Sequence, residues 1–172
     1  VLSQLQAYQA ISSYLGQERP LPVLTSWALA SDNMVEVLRA IHERKPAVLV
    51  ELGSGSSSII IATQLARMSR GAHLYSLEHD QEYAKQTRRA LEMAGLSSYS
   101  TVFDAPLEEI QLPDGRAFTW YAASAVETLP EGIELLLVDG PPRRTGQMAR
   151  YPAIPVLKKR LAPKCIIFVD ES

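Results

Sequence analysis

Residues 50–58 read VELGSGSSS. An acid, Glu51, stands before two glycines separated by one residue, Gly53 and Gly55, and the serines Ser56, Ser57 and Ser58 follow. Glycines at that spacing allow a tight turn and a close backbone approach, and the helix expected next offers free N–H groups at its start. A dinucleotide fingerprint, G-x-G-x-x-G, would carry a third glycine where Ser58 stands. Glu51 would also set negative charge near a pyrophosphate. The same acid suits a ligand bearing an ammonium or sulfonium group. Glu78 lies 25 residues after Gly53 (78 − 53). A carboxylate there accepts hydrogen bonds from both ribose hydroxyls, which suits an adenosine ligand.

An alternation of strands and helices must position these residues. The N-terminal segment has apolar residues at Val1, Leu5, Tyr8, Ile11 and Leu15, one face of a helix stopped by Gly16. A second helix runs from Ser31, an N-cap candidate, to about Arg44. AVLV (Ala47 to Val50) is a strand, Ser57 to Arg70 a helix closed by Gly71, and HLYSLE a strand. Asp80 caps a helix that ends at Gly95, and Ser100 to Phe103 is a third strand. Two part-apolar runs around Pro-Asp-Gly predict a β-hairpin near 109–121, where a plain α/β fold places a helix. Ala122 to Leu129 reads as a short helix and IELLLVD as a strand buried on both faces. YPAIPVLKKRLAP reads as a helix with Pro152 in its first turn, and CIIFVD as a fifth strand burying Cys165. The expectation is one domain over 1–172, with N-terminal helices in 1–45 and a doubly wound, mostly parallel α/β core in 46–172.

Ligands in such sheets bind outside the carboxyl ends of the strands. Those ends hold Glu51 to Ser57, Glu78-His79-Asp80, Asp104-Ala105, Asp139-Gly140-Pro141-Pro142 and Asp170-Glu171, so every strand ends in an acid. The formal net charge of −2 provides no global field to recruit nucleic acid or a membrane surface. No stretch approaches transmembrane length and no signal peptide is visible, so the chain reads as cytoplasmic.

VELGSGSSS, SLEHD, FDAPL, LLLVDGPP and RYPAIPVLKKRLAP, in this order, resemble class I S-adenosylmethionine-dependent methyltransferases. The likeness is strongest to a small bacterial group with E-L-G-S-G-x-S and V-D-G-P-P motifs, and runs from about Trp27 to Ser172. It implies a Rossmann-like fold and S-adenosylmethionine as cofactor. Glu51, Gly53, Ser54 and Gly55, with Ser56 and Ser57, would line the methionine end of the cofactor. Glu78 would bind the ribose, His79 would lie beside the adenine, and Asp104 and Ala105 would flank the adenine ring. Asp139 would face the methyl group and the acceptor. For His79 a plain surface position is an equal reading, and Asp80 is more simply a helix N-cap. The family sheet has seven strands, whereas this chain stops at VDES after the fifth; its usual last two strands are missing. That leaves an apolar edge, so the native protein is expected to continue past Ser172 or to cover this edge with a partner.

The reaction implied is methyl transfer to a small-molecule or sugar-like acceptor, at oxygen, with Asp139 as the catalytic residue. Asp139, Asp170 and Glu171 could together bind a divalent cation through oxygen, as in catechol-type O-methyltransferases. Those enzymes carry a lysine soon after the fourth-strand Asp, where GPPRR stands here, so the metal is the less favoured reading. From Arg143 to Lys164 the chain is basic and carries no acid, and Arg143, Arg144 and Arg150 could bind an anionic acceptor. Trp27 and Tyr121 could shape its pocket, with core packing the alternative. Competing readings are an aminopropyl transferase and a non-catalytic adenosylmethionine-binding or protein-interaction domain, whose amphipathic first helix also suits homodimerisation. A nicotinamide oxidoreductase is disfavoured by Glu51 and Ser58.

Overall fold

The computed structural model describes residues 6, 9–13, 31–68 and 71–170. Helical residues 9–13 bring Ile11 into the core, and α1 (Ser31–Arg44) follows. Then come β1 (Val48–Leu52), α2 (Ser56–Met68), β2 (His73–Glu78), α3 (Gln81–Met93) and β3 (Ser100–Asp104). A hairpin of β4 (Leu107–Gln111) and β5 (Ala117–Tyr121) and the short α4 (Ala123–Val126) lead to β6 (Ile133–Val138). A 3₁₀ turn (Arg143–Thr145), α5 (Ala153–Leu157), a second 3₁₀ turn (Lys158–Arg160) and β7 (Leu161–Val169) complete it.

Five strands form one parallel sheet in the order β3-β2-β1-β6-β7. The chain winds outward from β1 to β3, then crosses back to β6, so the order reverses between β1 and β6. Period-two alternation divides the core. Leu49, Leu74, Leu135 and Leu137 pack against α1 and α2 through Leu38, Ile41, Ile61 and Leu65. Val50, Leu52, Leu136 and Val138 face the other way, against Trp120, Tyr121, Leu129 and Leu157. Helices thus cover one face, while the hairpin, α4 and α5 cover the other. This is the doubly wound α/β fold expected. The hairpin forms at the predicted place, with Gly115 at φ +85° in its turn and the Leu112 N–H donating to the Arg116 carbonyl at 2.8 Å.

Three elements differ from the sequence reading. The helix read over Ala122 to Leu129 is only Ala123–Val126. The segment read as YPAIPVLKKRLAP is helical only over Ala153–Leu157, tightens into the 3₁₀ turn, and gives Leu161 onward to β7. Pro163 explains the register shift there: it has no N–H for the ladder, and an edge strand tolerates the gap. Cys165 lies in β7 but is half-buried rather than enclosed, because β7 is the sheet edge among the described residues; Ile167 and Val169 there are 37% and 49% exposed. No helix among the described residues is long and apolar enough to cross a membrane.

The hairpin tip reaches across to the segment before α5. The Arg116 guanidinium donates to the Asp114 carboxylate at 2.6 Å and to the Tyr151 hydroxyl, and lies 4.3 Å from the Tyr151 ring centroid. Phe118 and Tyr151 stack with centroids 5.6 Å apart. Exposed ion pairs add little to global stability, but this one ties two surface segments together. Replacing Arg116 with Ala is therefore expected to speed amide hydrogen exchange in 107–121 and 143–151 while changing the thermal midpoint little. Unchanged exchange in both segments would show that the clasp does not order them.

Candidate functional site

The carboxyl ends of β1 and β6 meet at the reversal of strand order, where ligands bind in open α/β sheets. Asp139 N–H donates to the Leu52 carbonyl at 3.0 Å, and Asp170 N–H to the Val138 carbonyl at 3.0 Å, so the strand ends stay zipped as the loops depart. Gly53, at φ +107°, turns the chain off β1, and a Cβ there would meet the Asp139 carbonyl carbon at 3.7 Å. The positive φ is what requires glycine. Gly140 is required for space: a Cβ would lie 2.4 Å from the Tyr121 hydroxyl oxygen.

Glu51 is fully buried inside β1, on the face toward α2. Its carboxylate accepts hydroxyl hydrogen bonds from Ser57, from Ser58 at 2.7 Å and from Ser76 at 2.9 Å. Ser58 in turn accepts the Gly55 N–H at 3.1 Å, so the acid fixes the glycine loop through a serine relay. Burial pushes the Glu51 pKa up; the serine hydroxyls oppose that, and Glu78 adds to it. Glu51 does not line the cleft.

Glu78 ends β2 and is buried. One oxygen accepts the Asp80 N–H at 3.0 Å and faces His79 Nδ1 at 3.1 Å; the other accepts the Ser54 hydroxyl at 2.9 Å. Asp80 is the N-cap of α3, accepting the Tyr83 N–H at 3.0 Å. These residues and Gly53, Tyr83, Tyr121, Asp139, Gly140 and Arg150 line a cleft of about 660 Å³, with Arg143 and Arg144 on its rim. Its chemistry is acidic. Asp139 is raised from 3.8 to about 8 by burial, by the charges of Glu51 and Asp170 against the opposing Arg150, and by a hydrogen bond with Asp170. Tyr83 and Tyr121 are raised by burial and by Glu78, Asp139 and Glu51, so both stay protonated at neutral pH. The Tyr121 hydroxyl is buried with no hydrogen-bond partner among the described residues.

Of the predicted cofactor residues, Gly53, Ser54, Glu78, His79 and Asp139 come together on the cleft. Gly55, Ser56 and Ser57 are not among the residues that line it, and neither is Glu51. Asp104 is the register partner of Glu78 but is half-exposed and pairs with Arg88 at 3.0 Å, and Ala105 is buried in the core; neither lines the cleft. Tyr121 lines it, while Trp27 and Glu171 fall outside the described residues. Among the described residues, no three His, Cys, Asp or Glu side chains gather to hold a metal ion. Sequence reasoning missed Tyr83 and Gly140. Tyr83 carried a signal: it stands off the buried stripe Ala84, Thr87 and Leu91 of α3.

A family model described as "Methyltransferase domain" matches residues 50–172. Among solved structures, an SAH-bound methyltransferase from Podospora anserina is similar at 18% identity, covering 98% of this chain and 68% of its own, with a TM-score of 0.60. An O-methyltransferase of tomaymycin synthesis from Streptomyces achromogenes, solved with SAM, is similar at 20% identity, covering 97% and 64%, with a TM-score of 0.56. The C-terminal domain of a precorrin-6Y C5,15-methyltransferase from Rhodobacter capsulatus matches at 20% identity over 84% and 64%, with a TM-score of 0.56. At these identities the likeness is one of fold. The chain spans between about half and about two thirds of the length of the structures it matches.

Two predictions follow from the packing and charge of this site. Gly140→Ala should destabilise the chain by driving a methyl into the Tyr121 hydroxyl. Tyr121→Phe removes that oxygen, which has no partner to lose, so the double variant should recover most of the loss. A double-mutant cycle by chemical denaturation should give a coupling of roughly 1–3 kcal/mol; simple additivity would refute the contact. For Asp139, the native state keeps its proton up to about pH 8, while the unfolded chain releases it near 3.8. Its contribution to stability is therefore fully present below 3.8 and is lost as pH rises toward about 8. Asp139→Asn should be more stable than the parent by a margin that grows across that window in thermal melts. A margin independent of pH would contradict the raised pKa.

Proposed function

The chain belongs to the methyltransferase domain family, and on that premise we propose that it transfers a methyl group from S-adenosylmethionine to an oxygen of a small-molecule acceptor. The observation that carries this reading is the cluster of acids in the cleft at the strand reversal. Glu78, Asp80 and Asp139 line it, and burial, reinforced by repulsion from Glu51 and Asp170, raises Asp139 to about 8. A cationic ligand relieves that repulsion, whereas a pyrophosphate adds to it. The neighbours solved with SAH and SAM support the same cofactor.

The residues present fit that cofactor. Glu78 can accept a ribose hydroxyl with the lone pair that Ser54, Asp80 and His79 leave free. Gly53 takes the positive φ that turns the backbone off β1 at the cleft. The unpartnered Tyr121 hydroxyl offers a donor from the floor. Bound there, S-adenosylmethionine supplies a methyl carbon on a positively charged sulfur. The positive charge favours the ionised form of Asp139, which can then take the acceptor's hydroxyl proton. Held by Glu78, Ser54 and the Gly53 turn, the cofactor would supply its methyl carbon to the acceptor oxygen, the sulfur keeping the electron pair of the C–S bond. Arg150, donating to the Asp139 carbonyl at 3.1 Å and to its carboxyl at 3.4 Å, keeps that side chain in place.

Calorimetry tests the reading in two ways. Glu78→Ala should weaken S-adenosylhomocysteine binding by at least about tenfold, the loss of one hydrogen bond to a charged acceptor at roughly 1.5 kcal/mol. Asp139→Asn should bind it well yet lower kcat by roughly 10²–10⁴ on an accepted substrate. In buffers of differing ionisation enthalpy at pH 7, S-adenosylmethionine should release most of one proton on binding and S-adenosylhomocysteine little, because only the former carries the sulfonium. Equal proton release by both would remove Asp139 from the methyl-transfer site, and failure of either to bind would overturn the cofactor.

A further inference from the structure

Arg150 precedes α5, and its side chain is only 13% exposed. One terminal nitrogen, Nη2, donates to the carbonyl and carboxyl of Asp139. Its Nε and Nη1 are buried and have no acceptor among the described residues. A guanidinium does not give up its proton, so this is a permanent cation with three N–H groups unmatched. The nearby acids do not complete it: the Asp139 carboxyl is reached only at 3.4 Å and is engaged with Asp170. Buried donors of this kind call for an anionic oxygen.

The surroundings say which kind of molecule carries it. Arg150 stands in the wall shared by the cofactor cleft and a second, larger cleft of about 880 Å³. Met148, Tyr151, Ile154, Pro155 and Val169 give that second cleft an apolar lining, with Arg143, Arg150 and Asp170 at its charged side. Met148, Ile154 and Val169 are 55%, 39% and 49% exposed, so the trough is open to a ligand from solvent. Arg143 and Arg144, by contrast, are exposed on the 3₁₀ turn.

We infer that the methyl acceptor is an amphipathic hydroxy-carboxylate whose carboxylate is held by Arg150 and whose apolar body lies along Met148, Tyr151 and Ile154. This rests on the methyl-transfer reading and names the substrate class of the same site. Arg150 anchors the acid at the boundary between the two clefts. The acceptor's hydroxyl is thereby presented to Asp139, which Arg150 also holds. The cofactor's own carboxylate has the same donor-seeking chemistry, and the experiment separates the two sources.

The chain is saturated with S-adenosylhomocysteine and titrated with 4-hydroxybenzoate, 4-hydroxyphenylacetate and 4-hydroxycinnamate, each against its neutral primary amide. At least one carboxylate should bind at least about tenfold tighter than its amide, as expected for a charge-assisted contact. Arg150→Gln should abolish that preference and leave amide binding unchanged, and Arg150→Lys should restore part of it. S-adenosylhomocysteine affinity should survive Arg150→Gln. Equal affinity for acids and amides in the parent chain, or no binding of any of the three acids, overturns the inference. Loss of S-adenosylhomocysteine affinity in Arg150→Gln assigns the residue to the cofactor instead. A parent chain that does not bind S-adenosylhomocysteine at all refutes the methyl-transfer reading itself.

Discussion

One buried carboxylate holds the working end of this sheet together. Glu51 accepts hydroxyls from two serines of α2 and one of β2, so a single side chain joins β1, its neighbour and the first turn of the following helix. Through Ser58 it also reaches the Gly55 N–H. The glycine loop is thereby fixed from behind, leaving its front free for a ligand. Three hydroxyl donors are about what a buried carboxylate needs to offset lost hydration. An alanine at any of these serines would leave the buried carboxylate one donor short. The serine run is therefore the complement of the acid, and the two form one device.

That device has an electrostatic consequence. Glu51, Glu78, Asp139 and Asp170 all lie at one end of a parallel sheet, because parallel strands bring their carboxyl ends to the same side. Burial raises Asp139, repulsion from Glu51 and Asp170 adds to it, and Arg150 only partly counters them. Natural chains give up stability at functional sites in this way and recover it elsewhere. Here the recovery lies in the central strands β1 and β6, buried on both faces, which bear the strain without opening. A positive ligand is then drawn to the cleft by a field that the empty fold finds unfavourable.

Much of this was legible in the sequence, for identifiable reasons. The strands β1, β2 and β6 are apolar runs bounded by turn residues, and α3 announces itself by the Asp80 cap and its spacing. The hairpin was legible because Pro-Asp-Gly leaves few alternatives. The helix before β7 was over-read because proline in its first turn and a basic run look helical locally, while the strand claims Leu161 onward through pairing with β6. Glu51 was recognised as the discriminating acid, yet its direction was misjudged. β1 runs on to Leu52, so parity places Glu51 on the Leu49 face, beneath α2 rather than toward the cleft. Arg150 could be flagged only as one basic residue among several, since its burial depends on loops meeting in space.

The hairpin shows why the acceptor side differs from the cofactor side. A crossover helix in its place would bury an apolar stripe and end there. The two ends of the hairpin instead take different tasks. Trp120 and Tyr121 go into the core beneath β6, and the Tyr121 hydroxyl comes up against Gly140. At the other end of the hairpin, Arg116 and Phe118 grip Tyr151, the residue after Arg150. One element therefore sets the floor under Asp139 and braces the wall that bears the buried cation. On the proposed assignment of the two clefts, a change in the hairpin would move both at once.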